Sequence, residues 1–284
     1  LALLDGAGTR PKKRFGQNFL IDGNLMRRLV EAAEIGPNDL VLEVGPGTGG
    51  LTDLLIEQAG AVVCCEVDRD LCGILRERFG ESERVRLVEG DVLAKKSALS
   101  PEVVSAIRAA GDTTSGEFLL VANLPYSIAS PLLIDLVASD LGIQRLCFTV
   151  QKEVGERILA EPGQKTFGPL SVILQAVCTG RRIAKLPPEA FWPAPEVESV
   201  MLRLDVDPER LASVGDLSGL AHVVRDVFGQ RRKAMGGVLR RLYGDGVVDS
   251  LEREMGLDVQ RRCETLSVAD WVQLAQVIHE GRDA

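Results

Sequence analysis

An α/β protein with a mostly parallel sheet, followed by a small all-helical domain, is what this sequence of 284 residues predicts. Three observations carry that expectation. Short apolar runs alternate with segments of helical spacing up to about Asp207, a glycine-rich turn closes the first strong run, and the strand signal stops after Pro208.

The runs Leu40–Val44, Ala61–Glu66, Val85–Val88, Phe118–Ala122 and Arg145–Val150 are continuous enough to read as strands buried on both faces. Between them, Gly50–Gln58, Asp70–Phe79 and Pro131–Val137 have helical spacing, which covers both faces of a Rossmann-like sheet. Gly168–Cys178 reads as a further helix and Arg182–Leu186 as a strand. Glu198–Asp205 alternates Val200, Leu202 and Leu204 against Ser199, Met201 and Arg203, the pattern of a strand with one wet face. The last two strands are expected as an antiparallel hairpin at one edge of the sheet. The polar stretch Lys95–Gly116 reads as a long surface connection. Beyond Pro208, Leu220–Phe228, Lys233–Leu242, Val247–Met255 and Val268–Glu280 have helical spacing. The expected domains are therefore 1–207 and 208–284.

Hydrophobic residues make up 45% and charged residues 26%, a globular composition. No run approaches the roughly 18 apolar residues that span a bilayer, and the apolar start Leu1–Gly8 is too short for a secretory signal. Cys64, Cys65, Cys72, Cys147, Cys178 and Cys263 form no CxxC pair, and most sit in apolar runs. They read as reduced thiols in the core, so a cytoplasmic protein without a metal is expected. His222 and His279 lie in the helical tail and form no evident catalytic triad. Nothing demands an oligomer or an obligate protein partner, and a monomer is expected.

The net charge of −8 argues against nucleic acid until its distribution is considered. Arg10–Arg14 holds four cations and no acid, and Arg225–Arg241 holds six against the single Asp226. Local fields of this kind can hold a phosphate backbone although the body is acidic. The plain alternative is an ordinary solvated face.

In Leu42-Glu43-Val44-Gly45-Pro46-Gly47-Thr48-Gly49, glycines at 45, 47 and 49 remove Cβ atoms where backbone turns tightly against a ligand. The helix opening there offers free N–H groups to an anion. The spacing is GxGxG, not GxGxxG, and no Walker lysine follows. Glu66, at the end of the second strand, can accept from both hydroxyls of a ribose and would repel a 2′-phosphate. Asp91, after the third, suits an adenine amino group. Singly these are ordinary strand-end carboxylates; in register they point to an adenosine cofactor.

Asn123-Leu124-Pro125-Tyr126 follows the fourth run, at the sheet edge where ligands bind in open α/β folds. The N6 lone pair of adenine is delocalised, so N-methylation needs the amine pinned in line with the methyl group. The Asn123 carbonyl and a neighbouring backbone carbonyl can accept both N6 hydrogens. Pro125 stiffens the strip and cannot donate, and Tyr126 offers a ring face to the base.

These residues resemble the ribosomal RNA adenine N6,N6-dimethyltransferase family of the bacterial KsgA/RsmA type, from about Pro11 to Leu266. Phe15-Gly16-Gln17-Asn18-Phe19-Leu20 is similar to its GQNFL element. Gln151–Arg157 resembles its QKEVAxR helix, with Gly155 where Ala is usual, and Phe167–Ser171 its YGxLS segment with Phe for Tyr. Phe191–Ser199 is similar to FxPxPxVxS, and Gln230-Arg231-Arg232-Lys233 to a basic helix start. The resemblance implies a class I methyltransferase sheet and S-adenosyl-L-methionine as cofactor, contacted by Asn18 and Leu20 as well as Gly45, Gly47, Gly49, Glu66, Asp91 and Asn123. It implies catalysis by Asn123, Leu124, Pro125 and Tyr126, with Phe191 as a second base-stacking ring, and RNA binding by Arg231, Arg232 and Lys233. The implied substrate is two adjacent adenosines near the 3′ end of small-subunit (16S) RNA in an immature 30S particle. The acidic balance departs from the more basic members and favours an assembled particle over naked RNA.

Three other readings remain open. The antibiotic-resistance branch methylates large-subunit (23S) RNA and typically carries NIPY. An assembly factor with little turnover would not need every catalytic element. A DNA adenine methyltransferase would carry a DPPY-like or NPPY tetrapeptide.

Overall fold

The computed structural model describes residues 10–12, 15–95 and 98–283. Leu1–Gly8, and Lys13 and Arg14 of the first basic cluster, lie outside the described residues.

Seven strands form the main sheet: β2 (Leu40–Val44), β3 (Ala61–Glu66), β4 (Val85–Glu89), β7 (Phe118–Asn123), β8 (Ile143–Gln151), β9 (Cys178–Leu186) and β11 (Ser199–Val206). Their order is β4-β3-β2-β7-β8-β11-β9. The first five run parallel, and β11 runs antiparallel to β8. Every residue of β2 and β3 is buried, as strands covered by helices on both faces require. From their carboxyl ends β2 leads on to β3 and β7 leads on to β8, in opposite directions along the sheet, so the carboxyl edge between β2 and β7 is a topological switch point, where open α/β sheets bind ligands. Two small pairs complete the strands. β1 (Phe19–Leu20) joins β10 (Phe191–Trp192), and β5 (Leu93–Lys95) joins β6 (Ala98–Leu99).

Several expectations need correction. Within Lys95–Gly116 lies the helix Pro101–Gly111, with Pro101 in its first turn and the Ser100 hydroxyl accepting from Val103 N at 3.2 Å. Its inward face is only Val103, Ala106 and Ile107. The β11 strand has no wet face: Ser199, Met201 and Arg203 are as buried as their neighbours. Arg203 can lie inside because Asp205, Glu34 and the Ala32 carbonyl take up its guanidinium. Pro208–Val214 forms a helix of its own. The helix expected from Lys233 begins at Met235, because residues 230–233 form turns whose N–H groups bond back to Val227, Phe228 and Gln230.

The chain divides into two compact units, one reaching to Gly155 and including Gly180–Asp205, the other made of Glu156–Thr179 and the chain from Val206 onward. Residues 156–179 thus join the helical unit rather than the sheet unit expected of them. The reason is packing: helix Pro169–Val177 lies against helices Pro208–Val214, Leu217–Phe228 and Val268–Asp283. In that unit Phe167 is fully buried beside Phe228, which stacks on Trp271 with centroids 5.2 Å apart. A tyrosine hydroxyl there would need a buried partner, which suits Phe where the resembling family has Tyr. In the sheet unit, a Cβ on Gly155 would meet Val200 Cγ2 at 2.3 Å, so glycine rather than alanine fits beside this valine.

Candidate active site

The carboxyl ends of β2, β3, β4 and β7 open into one cleft. Gly45, Gly47, Glu66, Asp91, Asn123, Leu124, Pro125, Tyr126 and Asn18 all line it, although they are scattered over more than a hundred residues of sequence. Leu20, Gly49 and Phe191 do not belong to that lining. Leu20 packs against the core and Gly49 caps the helix Gly50–Gln58 beside Phe79. Phe191 is 2% exposed within the apolar core, so it presents no ring face to a base.

Local backbone chemistry builds the floor. Gly45 and Gly47 have φ of 70° and 62°, a region costly for side-chain-bearing residues. A Cβ on Gly47 would also strike the Phe19 ring at 2.8 Å. Glu66 closes the far side: Oε2 accepts from Gly47 N at 3.2 Å and Oε1 from Asp68 N at 2.9 Å. Burial pushes its carboxyl above the ordinary range, while those two N–H groups oppose the shift by favouring the charged form. Each oxygen keeps a lone pair for a ribose hydroxyl. Asp91 Oδ1 takes Leu93 N at 3.0 Å, which orients an otherwise exposed carboxylate at the rim. The adjacent Cys65 thiol is pushed up to about 12 by burial, so at neutral pH it lines the wall as an inert thiol.

Asn123 ends β7, with its side-chain amide bonded at both ends. Nδ2 donates to the Asn18 carbonyl at 2.9 Å, and Oδ1 accepts from the Thr149 hydroxyl. Pro125 lies against Gly45, and the Tyr126 hydroxyl bonds Ser199 Oγ at 2.7 Å, which fixes the ring. Burial raises the Tyr126 phenol, so it stays neutral.

Sequence reasoning missed the latch that seats residues 15–19 in the cleft. Buried Asp68 caps helix Arg69–Phe79, accepts from Gln17 Nε2 at 3.0 Å, and pairs with Lys12, which also reaches Asp70 at 2.7 Å. The Asp before a helical run was a legible cap signal; its second use was not. Arg231, Arg232 and Lys233 lie in the helical unit. There Arg231 reaches the Lys165 carbonyl and Glu264, while Arg232 and Lys233 are exposed.

The glycine cradle, the buried Glu66 carboxylate and the rim carboxylate of Asp91 fit an adenosine-bearing cofactor. Among the described residues no helix is long and apolar enough to cross a membrane.

Comparison with known proteins agrees with this chemistry. A family model described as ribosomal RNA adenine dimethylase matches residues 8–280. A ribosomal RNA small subunit methyltransferase A from Moorella thermoacetica is 38% identical over 279 residues, covering 98% of this chain and 96% of that one. The protein of that name from Thermosynechococcus vestitus is also 38% identical, over 95% of this chain and 98% of its own. In fold, a dimethyladenosine transferase from Plasmodium falciparum superposes with a TM-score of 0.77 at 21% identity, over 93% of this chain and 98% of that one. The 23S rRNA methyltransferase ErmE gives 0.64 at 24%, over 92% and 100%.

Proposed function

Because the chain belongs to the ribosomal RNA adenine dimethylase family, we propose that it methylates N6 of two adjacent adenosines near the 3′ end of 16S ribosomal RNA. The products are N6,N6-dimethyladenosines. S-adenosyl-L-methionine supplies an electrophilic methyl group when bound. Glu66 holds the ribose diol, Asp91 the adenine amine, and Asn18 and the turn at Gly45 and Gly47 the remainder. Leu20 and Gly49 act from behind, by packing the segments that do touch it.

Asn123 Oδ1 and a backbone carbonyl of the 124–125 strip accept the two N6 hydrogens of the target base. That holds the nitrogen pyramidal and aimed into the cleft. Tyr126, steadied by Ser199, stacks on the ring. No strong general base is needed, since the amine becomes cationic on attack and sheds its proton readily. Loop adenosines suit this geometry because their extrusion costs less than from a duplex.

The observation that carries the reading is that Glu66 and Asn123 line one cleft, so a carboxylate suited to the cofactor and an amide suited to the amine share the same space. The relatives at 38% identity carry small-subunit names, which favours 16S over 23S RNA. Within this reading Arg231, Arg232 and Lys233 of the helical domain take phosphates of an immature 30S particle, and the protein acts as a cytoplasmic monomer. Asn123→Ala tests it: methyl transfer is lost, while melting temperature stays near wild type. Near-normal turnover by that variant would defeat the assignment.

A further inference from the structure

A catalytic amide is useful only if its oxygen, not its nitrogen, faces the substrate. An asparagine terminus rotates over a broad, nearly two-fold torsional profile, so both orientations are accessible unless neighbours choose one. A nitrogen turned toward an adenine N6 would set donor against donor. Something in this chain must therefore decide which way Asn123 points.

Two neighbours do so. The Asn18 carbonyl can only accept, so the NH2 end of Asn123 belongs on its side, at 2.9 Å. The Thr149 hydroxyl, donating from the other side, holds the oxygen end. Thr149 is the direct cross-strand partner of Asn123 in the β7–β8 pair, and it is fully buried. An amide oxygen has two lone pairs; Thr149 occupies one and leaves the second for an N6 hydrogen.

We infer that Thr149 is a positioning residue for the methyl transfer, selecting by its hydroxyl the orientation of the Asn123 amide that accepts from N6. The inference rests on the proposed function. It assigns Thr149 no contact with substrate or cofactor. Its effect belongs on the turnover step, because what the Thr149 hydroxyl orients is the amide oxygen whose second lone pair is left for the reacting amine.

Thr149→Val keeps the branched shape and removes the hydroxyl; Thr149→Ser keeps the hydroxyl and removes the methyl. Steady-state methylation of under-methylated small subunits is measured for the wild type and both variants, with S-adenosylhomocysteine titration to verify the cleft. Loss of alignment at a reacting centre lowers kcat by roughly tenfold or more. That fall is expected for Thr149→Val, with KM for both substrates unchanged, and Thr149→Ser is expected to return kcat to within about threefold of wild type. A merely packing role gives the reverse order, with Val tolerated and Ser destabilised. Equal kcat for Thr149→Val and wild type, or an equal fall for Val and Ser, overturns the inference. Should Thr149→Val fail to bind S-adenosylhomocysteine, Thr149→Ser against Thr149→Ala makes the same comparison. An inactive wild type would instead sink the proposed function, so the two failures are distinguishable.

Discussion

Replacing Glu66 by Gln changes the cleft by one proton-bearing group while keeping its volume, and its cost can be worked from the contacts. The carboxylate has about four acceptor positions. Backbone N–H groups of Gly47 and Asp68 take two, and two remain for a ribose diol. Whichever way a glutamine amide turns, its NH2 faces one of those N–H groups, and one oxygen must serve the rest. At least one charge-assisted hydrogen bond is lost, worth about 1.5–3 kcal/mol, which is roughly 10- to 150-fold in Kd. Isothermal titration with S-adenosylmethionine at pH 8 reads this directly. The pH dependence adds a second signature. Ionised Glu66 accepts and protonated Glu66 does not fully, so wild-type affinity is held at high pH and lost as pH falls through the folded pKa. Burial raises that pKa, so the decline begins at higher pH than for an exposed carboxylate, and Glu66→Gln lacks this limb. Binding within twofold of wild type, or an unchanged acid limb, would refute the role given to Glu66.

Other expectations follow from the same contacts. Buried Glu43 is bonded to Thr52 Oγ1 at 2.6 Å, and its carboxyl is pushed up to about 8. The folded chain keeps a proton that the unfolded chain releases near 4.5, so stability is fullest at low pH within this window and declines up to about pH 8. Thermal melts at pH 5 to 8 should show that decline, and Glu43→Gln should flatten it by roughly 5 °C or more. Replacing Arg231, Arg232 and Lys233 by Gln should reduce the slope of log affinity for small subunits against log salt by about 2; an unchanged slope would remove them from phosphate contact. Gly155→Ala should cost about 1–3 kcal/mol by crowding Val200, and combining it with Val200→Ala should cost less than the sum of the two single changes.

Much of this architecture was legible because buried parallel strands and a glycine turn leave local traces. The β2, β3 and β7 runs and the helix Gly50–Gln58 were readable to within a residue, and with them the strand ends carrying Glu66, Asp91 and Asn123. Where the structure differs from expectation, either a contact distant in sequence decided or the local signal was weak. Arg203 looks like a solvent residue until Glu34 and Asp205 are placed around it. Phe191 lies in an aromatic-proline motif, but pairing of β10 with β1 turns it into the core. Helix Pro101–Gly111 was hidden because its buried face is three modest residues and the polar stretch Asp112–Gly116 follows. Thr149 carries no motif; only the β7–β8 register brings it to Asn123.

Every residue role proposed above serves one step, delivery of a methyl group to an N6 amine held by Asn123 on small-subunit RNA. Supplying methyl-labelled S-adenosylmethionine with under-methylated small subunits, large subunits and DNA in parallel, then digesting each to nucleosides, tests it most directly. Label in N6,N6-dimethyladenosine from the small subunits alone is the outcome expected. Label confined to large subunits or DNA, or absent from dimethyladenosine altogether, would contradict it.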